Sequence, residues 1–307
     1  MHPLLIIIII LLPIIVLFFI IIFILYVLIF YSPLPRQMND ERFRHLAVNR
    51  GYEARFIKMV TALTKIPYED VYITAFDDLE LYAKVYKKPH CQQEAILCHG
   101  YRAMGYRDFA GITKDLLAKN ISVVMIDHRA HGKSEGRSLT LGVREVKDVL
   151  KWIEYVKKTF GKKQLILMGF SMGAATVLNC ADKVEDDTLI FADSPYSHPK
   201  ELLQTIIKNI FLPVAIFYPL INLAAIIFAR TSMNKLNAYE AIKKSKCRIL
   251  INHGTKDSVV PQKLSQKLAK AYPDKIRYEV FTDADHGLSY LRDFKRYQKL
   301  VLDFIKR

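Results

Sequence analysis

Residues 4–31, LLIIIIILLPIIVLFFIIIFILYVLIFY, run for 28 positions without a charge, an amide or any hydroxyl but tyrosine's. Few structures can hold such a segment. A helix rises about 1.5 Å per residue and a bilayer core is about 30 Å thick, so about 20 residues suffice to cross it. The run is long enough with residues to spare. A cleaved signal peptide wants a basic start, an apolar stretch of about 7–15 residues and a small-x-small cleavage site. MHPLL opens with neither Lys nor Arg, and YSPLPRQ offers no such site. A buried core helix is disfavoured because nothing polar interrupts the run, and Pro13 is tolerable near a helix end. Residues 1–35 are therefore expected to form an uncleaved transmembrane helix, a single-pass anchor in the cell membrane. After it come Arg36, Arg42, Arg44, Arg50, Arg55 and Lys58, against Asp40, Glu41 and Glu53. The positive-inside bias then puts the remainder of the chain on the cytoplasmic side.

Every charged side chain follows Pro35, so the whole excess of +15, from 45 Lys+Arg against 30 Asp+Glu, belongs to the part that meets water. About 270 residues are left there, enough for one large domain. With 51% hydrophobic residues, 12 Gly, 12 Pro and four Cys, the chain is neither disordered, nor collagen-like, nor held by disulfides. The lysines are scattered over helices rather than clustered with aromatics, which speaks against nucleic acid as a partner. Attraction to anionic lipid, about 1 kcal/mol per basic residue near a membrane surface, explains the charge more simply. His90-Cys91 and Cys98-His99 match no familiar zinc spacing, so no metal is expected. The glycosylation-like triplet at 120–122 falls where a helix hands over to an apolar strand and is read as chance.

Residues 36–69 are charged and mixed, as in a juxtamembrane helix or linker, and residues 70–307 form the domain. Residues 70–76 and 79–86 alternate around the turn at Asp77-Asp78, a β-hairpin pattern. Apolar strand-like runs follow at 94–100, 121–129, 164–170, 188–195, 247–254 and 275–281. Helix candidates at 106–119, 143–159, 172–182, 262–271 and 288–305 stand between them. Near-continuous apolar strands alternating with amphipathic helices predict an α/β fold, a mostly parallel sheet with helices on both faces. One insertion, 196–245, breaks the alternation, and its centre at 210–229 is 20 residues without a charge. If that centre crossed a bilayer, the strands on either side of it could not share one sheet. Pro213 and Pro219 also divide it into short pieces. It is expected to be a helical cap over a pocket, partly dipping into the bilayer surface, with ordinary buried helices as the other reading.

Gly169-Phe170-Ser171-Met172-Gly173 sits between the strand QLILM and the helix AATVLNCA, the context of a nucleophile elbow. A serine hydroxyl is a poor nucleophile near neutral pH, so it needs a base and a group that orients the base. In open α/β sheets such groups converge at the carboxyl ends of strands. Asp257 follows one such strand and His286 the next. Ser171 is assigned as nucleophile, His286 as general base then acid, and Asp257 as the orienting acid, with Asp193 as the rival acid. Met172 and Tyr101 are expected to supply backbone N–H donors to the oxyanion. His99 reads as structural, and DHRAHGKSEG (127–136) as a hydrogen-bonded turn that buttresses the elbow.

The set CHGY, DHRAHGKSEG, GFSMG, GTKDSVVP and DADHG resembles the α/β-hydrolase superfamily over about residues 70–306. Within it, the wording of these blocks and the apolar leader resemble bacterial membrane-anchored serine hydrolases, distantly similar to depalmitoylase-type and serine-aminopeptidase-like members. The resemblance implies an eight-stranded, mostly parallel sheet, no cofactor, and hydrolysis of an ester, thioester or amide through an acyl-serine. It carries the triad roles to Ser171, Asp257 and His286, and the oxyanion roles to Tyr101 and Met172. The expected partners are the membrane lipid bilayer and a small acyl-ester or acyl-thioester substrate. A serine peptidase of aminopeptidase type, with Glu201 receiving a substrate amine, and a non-catalytic membrane scaffold are the alternatives.

Overall fold

The computed structural model describes residues 3–33 and 51–306. Arg36, Arg42, Arg44 and Arg50, with most of the first half of the expected juxtamembrane stretch, lie outside the described residues. Helix α1 (Pro3–Ile29) takes up the apolar run. Its segment Ile10–Ile29 is long and apolar enough to cross a membrane. Pro13 lies inside this helix rather than at its end. Helix α2 (Glu53–Thr64) precedes the sheet.

Eight strands form one sheet: β1 (Glu69–Thr74), β2 (Glu80–Tyr86), β3 (Gln93–Cys98), β4 (Ser122–Ile126), β5 (Gln164–Phe170), β6 (Leu189–Asp193), β7 (Arg248–Gly254) and β8 (Ile276–Phe281). Their order is β1-β2-β4-β3-β5-β6-β7-β8. The β1–β2 and β2–β4 pairs are antiparallel and all others parallel. This is the α/β-hydrolase fold. Its helices are α3 (Gly105–Ala118), α4 (Glu145–Phe160), α5 (Met172–Leu178), α6 (Pro199–Asn209), α7 (Val214–Phe228), α8 (Ala238–Lys244), α9 (Gln262–Ala271), α10 (Ser289–Arg292) and α11 (Phe294–Ile305). The single C-terminal helix expected over 288–305 is instead divided at Asp293, whose side chain caps α11 by accepting from the N–H of Arg296.

The period-2 alternation of the strands explains the two cores. On one face Ile96, Leu165, Leu167, Ile190 and Ile249 pack under α4, α5, α8 and α9. On the other, Leu97, Ile166, Met168, Phe191 and Leu250 pack under α2, α3 and α11. Strands buried on both sides must be apolar at every position, which is why they read as unbroken runs. The chain passes from β3 through α3 to β4 on one side, and then returns through α4 to β5 on the other side of β3. That reversal opens a crevice at the carboxyl ends of β3 and β5.

The insertion holds α6, α7 and α8. Strands β6 and β7 are neighbours, with Leu189 opposite Arg248, so the segment leaves and rejoins one sheet on one side. Pro213 precedes α7, but Pro219 lies within it, so the apolar centre is one helix rather than pieces. A proline removes one ladder hydrogen bond without displacing a helix otherwise held by its neighbours. Those neighbours include α1: Ile22, Tyr26 and Phe30 share a buried cluster with Tyr218, Ile221, Ala224 and Ala225.

Arg129, from the turn after β4, is buried with its Nε and one Nη donating to the Asp148 carboxylate at 2.6 Å each, while Asp77 closes its other side at 3.1 Å. A buried ion pair breaks at high cost when one partner is removed, because the other charge is stranded. Arg129→Met is expected to lower unfolding stability by about 3–5 kcal/mol, read by chemical denaturation; a wild-type midpoint would contradict this.

Candidate active site

The crevice is built by three turns. After β5 the chain makes a sharp bend in which Ser171 has φ +52° and ψ −111°, a strained conformation for a residue with a side chain. The bend is possible because α5 presses against the sheet. A Cβ on Gly173 would lie 1.9 Å from the carbonyl oxygen of Cys98, and one on Gly169 would lie 2.3 Å from the carbonyl oxygen of Gly173. Glycine is required at both places by contact alone. The Ser171 N–H donates to the carbonyl of Asp193 at 2.8 Å, which fixes the tip of the bend to β6.

Two loops at the ends of β7 and β8 complete the group. Ser171 Oγ lies 3.0 Å from Nε2 of His286, and His286 Nδ1 lies 2.8 Å from Oδ2 of Asp257. With the ring proton on Nδ1 donated to the carboxylate, Nε2 is an acceptor for the serine hydroxyl, a tautomer assigned from the partners. Asp257 also accepts from the N–H groups of Val259 and Val260 at 3.0 and 2.7 Å. A second imidazole, His253, has its Nε2 3.1 Å from Oδ2 of Asp257 and donates to the carbonyl of Val260 at 2.8 Å. Burial alone would push the Asp257 carboxyl up, but the hydrogen bonds from His253 and His286 outweigh it and hold it well below the usual carboxylate range. Asp285 braces the loop by accepting from the Ser258 N–H and the His286 N–H at 2.9 and 2.6 Å. Asp193 is not on the imidazole: it accepts from the Tyr297 and Ser194 hydroxyls, and burial pushes its carboxyl up.

The third turn follows β3. There the Gly100 N–H donates to Asp108 at 2.8 Å, the Gly100 carbonyl accepts from the Ala103 N–H at 3.2 Å, and the Arg102 N–H donates to Nε2 of His131 at 3.0 Å, so both peptides flanking Tyr101 are fixed. His99 Nδ1 donates to the Gly100 carbonyl, while its Nε2 accepts from the His128 N–H at 3.0 Å. The 127–136 turn therefore braces the loop after β3, through His131 and His128, rather than the elbow itself. Met172 stands at the first position of α5, where a helix leaves its N–H groups without intrahelical acceptors.

His253 and Asp108 have no role among the sequence expectations, and His131 has one only as part of the 127–136 turn. Only the i,i+4 spacing of His253 and Asp257 gave any signal. Beside His286 lies a cleft of about 260 Å³, lined by Phe170, Val259, Leu288 and Tyr290 together with Phe56 and Met59 of α2; Ser171 is not in its wall.

Known proteins agree with this architecture. A family model described as serine aminopeptidase, S33, matches residues 89–220, and one described as the prolyl oligopeptidase family matches residues 228–307. An uncharacterized protein of Bacillus subtilis, YqkD, is 24% identical over 217 residues, covering 68% of this chain and 70% of its own. The lysophosphatidylserine lipase ABHD12 of Danio rerio is 26% identical over 197 residues, covering 62% of this chain and 50% of its own length. The chain thus spans half of that relative. Among solved structures, the Pyrococcus furiosus esterase Pf2001 aligns with a TM-score of 0.64 at 23% identity, over 80% of this chain and 93% of that one. Est1E of Butyrivibrio proteoclasticus, solved with ferulic acid bound, aligns with a TM-score of 0.62 at 19% identity, over 77% and 100%. Together with the fold, these likenesses put the chain in the α/β-hydrolase superfamily, among hydrolases.

Gly173→Ala is expected to lose at least about 3 kcal/mol of stability, because the clash is with backbone that cannot step aside; thermal unfolding at the wild-type temperature would contradict it. Burial holds the His99 imidazole down at about 4. With a folded value below the ordinary 6.5, its contribution to stability is complete above about pH 6.5 and is lost as pH falls through about 4. Nitrogen chemical shifts of His99 should report the neutral Nδ1–H form at both pH 7 and pH 5; an imidazolium signal at pH 5 would contradict this.

Proposed function

We propose that the protein is a membrane-anchored serine hydrolase that cleaves the ester or thioester of a lipid-like acyl substrate through an acyl-serine intermediate. The observation that carries this reading is the continuous series from Asp257 through His286 to Ser171, with spacings of 2.8 and 3.0 Å. His286 Nε2 takes the hydroxyl proton as Ser171 Oγ attacks the acyl carbon, and the ionised Asp257 stabilises the imidazolium. The N–H groups of Tyr101 and Met172 receive the oxyanion. Collapse expels the alkoxide or thiolate, which takes the proton from His286. A water, deprotonated by the same imidazole, then attacks the acyl-serine and releases the acid with Ser171 restored.

Three features support a lipid-like substrate at a membrane. Helix α1 has the length and apolarity of a span. Helix α7 packs beside its last turns, with Phe228 5.3 Å from Phe23 and 5.1 Å from Tyr26 between ring centroids, so cap and helix make one apolar body. The cap also exposes Ile206, Ile210, Leu212, Ile216, Ile226 and Ile227, and at its tip Phe211 is 95% exposed. Phe211 has φ +59°, a rare and costly conformation for an aromatic residue. A strained, bare aromatic is unfavourable in water and favourable in a bilayer surface. The cleft beside His286, about 260 Å³, falls just short of the usual range of about 300–1,000 Å³ for small-molecule sites. It would enclose part of a lipid-like acyl group. The basic residues that follow α1 support a cytoplasmic domain.

The second reading is a peptidase of aminopeptidase type, favoured by the description of the family model over residues 89–220. Its proposed amine acceptor is otherwise engaged, since Glu201 accepts from the Ser197 hydroxyl at 2.6 Å and lies 3.6 Å from Lys267. Turnover of acyl esters against aminoacyl amides separates the two.

In detergent, Ser171→Ala and His286→Gln should abolish ester turnover, and Asp257→Asn should lower kcat about 10⁴-fold by presenting the wrong tautomer. Retained turnover in Ser171→Ala would sink the reading. Phe211→Asp should cut turnover of vesicle-borne long-chain esters several-fold while leaving a water-soluble short ester unaffected; equal effects on both would remove the membrane role of the cap.

A further inference from the structure

Helix α1 is more than a tether, because its last turn is built into the domain. Tyr26 Oη is 2.7 Å from Ser138 Oγ, the Ser32 N–H donates to Arg137 at 2.9 Å, and the Leu139 N–H donates to Phe30 at 2.9 Å. Ile22, Tyr26 and Phe30 are buried against the cap and residues 139–143. A helix end leaves carbonyls without intrahelical donors, and in an apolar setting water cannot serve them. Here two consecutive residues serve two of them, and also the carbonyl of Tyr31 just beyond the helix. The Tyr101 hydroxyl donates to the carbonyl of Ile29 at 2.8 Å, and one Arg102 Nη donates to the carbonyls of Leu28 and Tyr31 at 3.0 and 3.2 Å. The Arg102 cation also meets the negative end of the helix dipole.

These two residues form the loop after β3 from which the Tyr101 N–H is assigned to the oxyanion. We propose that the last turn of α1 positions the oxyanion loop through Tyr101 and Arg102, so that the docked helix is part of what makes the site competent. The inference rests on the serine-hydrolase reading above. Its physical basis is that the loop is held from two sides. Asp108 and His131 take the peptide N–H groups on either side of Tyr101, and α1 takes the side chains. Arg102 is in the left-handed region, φ +49°, a conformation that persists only where several contacts hold it. Without α1 the Tyr101 hydroxyl loses the Ile29 carbonyl and the guanidinium loses the carbonyls of Leu28 and Tyr31, and the strained Arg102 backbone has fewer contacts to hold it. An oxyanion donor acts only when pre-aimed, so displacement reduces the rate of the chemical step and leaves ground-state binding intact. Tyr101 and Arg102 are thus positioning residues through their side chains.

The test uses the full chain in detergent micelles and a short soluble ester, which reads chemistry apart from access to lipid. Tyr101→Phe keeps the peptide N–H and removes the bond to Ile29; Arg102→Met removes the other two. The double variant should lose about tenfold or more in kcat, with KM within about twofold of wild type and fluorophosphonate labelling of Ser171 slowed in proportion. Arg102→Lys, which can still donate, should restore most of the Arg102→Met loss. Tyr272→Phe is the control: it removes a hydroxyl-to-carbonyl bond of the same length, 2.8 Å to Tyr239, that involves neither α1 nor the loop, and should leave kcat unchanged even if it lowers the melting temperature. A wild-type kcat in the double variant, or an equal loss in Tyr272→Phe, would overturn the proposal and leave α1 a tether. If the wild type neither turns over esters nor labels at Ser171, the serine-hydrolase reading fails and the proposal falls with it.

Discussion

The contact on which the site depends is the approach of α5 to the sheet at Gly173, where even a methyl group would meet the carbonyl of Cys98 at 1.9 Å. That closeness forces the chain to leave β5 in a bend, and the bend gives Ser171 its positive φ and its place above the sheet. It also brings the first N–H groups of α5 beside the end of β3, where the loop carrying Tyr101 begins. Because β3 is flanked by β4 and β5, with chain leaving to opposite sides, elbow and loop meet at the carboxyl end of β3. A group of residues far apart in the chain is thus assembled by topology, and each loop has only to place one side chain.

Around that centre the polar groups are fixed in their roles by hydrogen bonding. Asp257 keeps its negative charge despite burial because two imidazoles and two peptide N–H groups point at it. His99 and His131 follow a different logic: each has one nitrogen 2.8 Å from a backbone carbonyl and the other 3.0 Å from a backbone N–H, so each acts as a rigid spacer. The rings of His128 and His131 each lie 4.8 Å from that of His99, which invites a metal reading, yet His99 and His131 already spend both nitrogens on the backbone.

Much of this was legible in the sequence. Strands buried on both faces must be apolar throughout, so the parallel sheet could be read from runs such as QLILMGF and CRILINHG, and the elbow from glycines two residues either side of a serine. The proximity of Asp257 and His286 followed from their places after successive strands. Legibility stopped where contacts depend on the path of the chain between elements. No spacing rule brings His131 to the N–H of Arg102, or the last turn of α1 to the side chains of Tyr101 and Arg102. Proline was a misleading guide as well: Pro219 was expected to break the apolar centre of the cap, but packing against α1 and the cap's own helices holds α7 together through it. The break at Asp293 was missed because the apolar period continues across it, and only the capping side chain marks the boundary.

On the proposed reading, an apolar helix joined to the α/β-hydrolase domain, with an apolar cap packed beside the helix, would place chemistry where a membrane-partitioned acyl group is found. Covalent catalysis by Ser171 is tested most directly by mass spectrometry of the full chain quenched during turnover of a long-chain acyl thioester. A mass increase equal to one acyl group is expected, mapped to the peptide containing residues 169–173 and released as the free acid on longer incubation. Turnover with no acyl group on Ser171 at any quench time, or acylation of another residue, would contradict it.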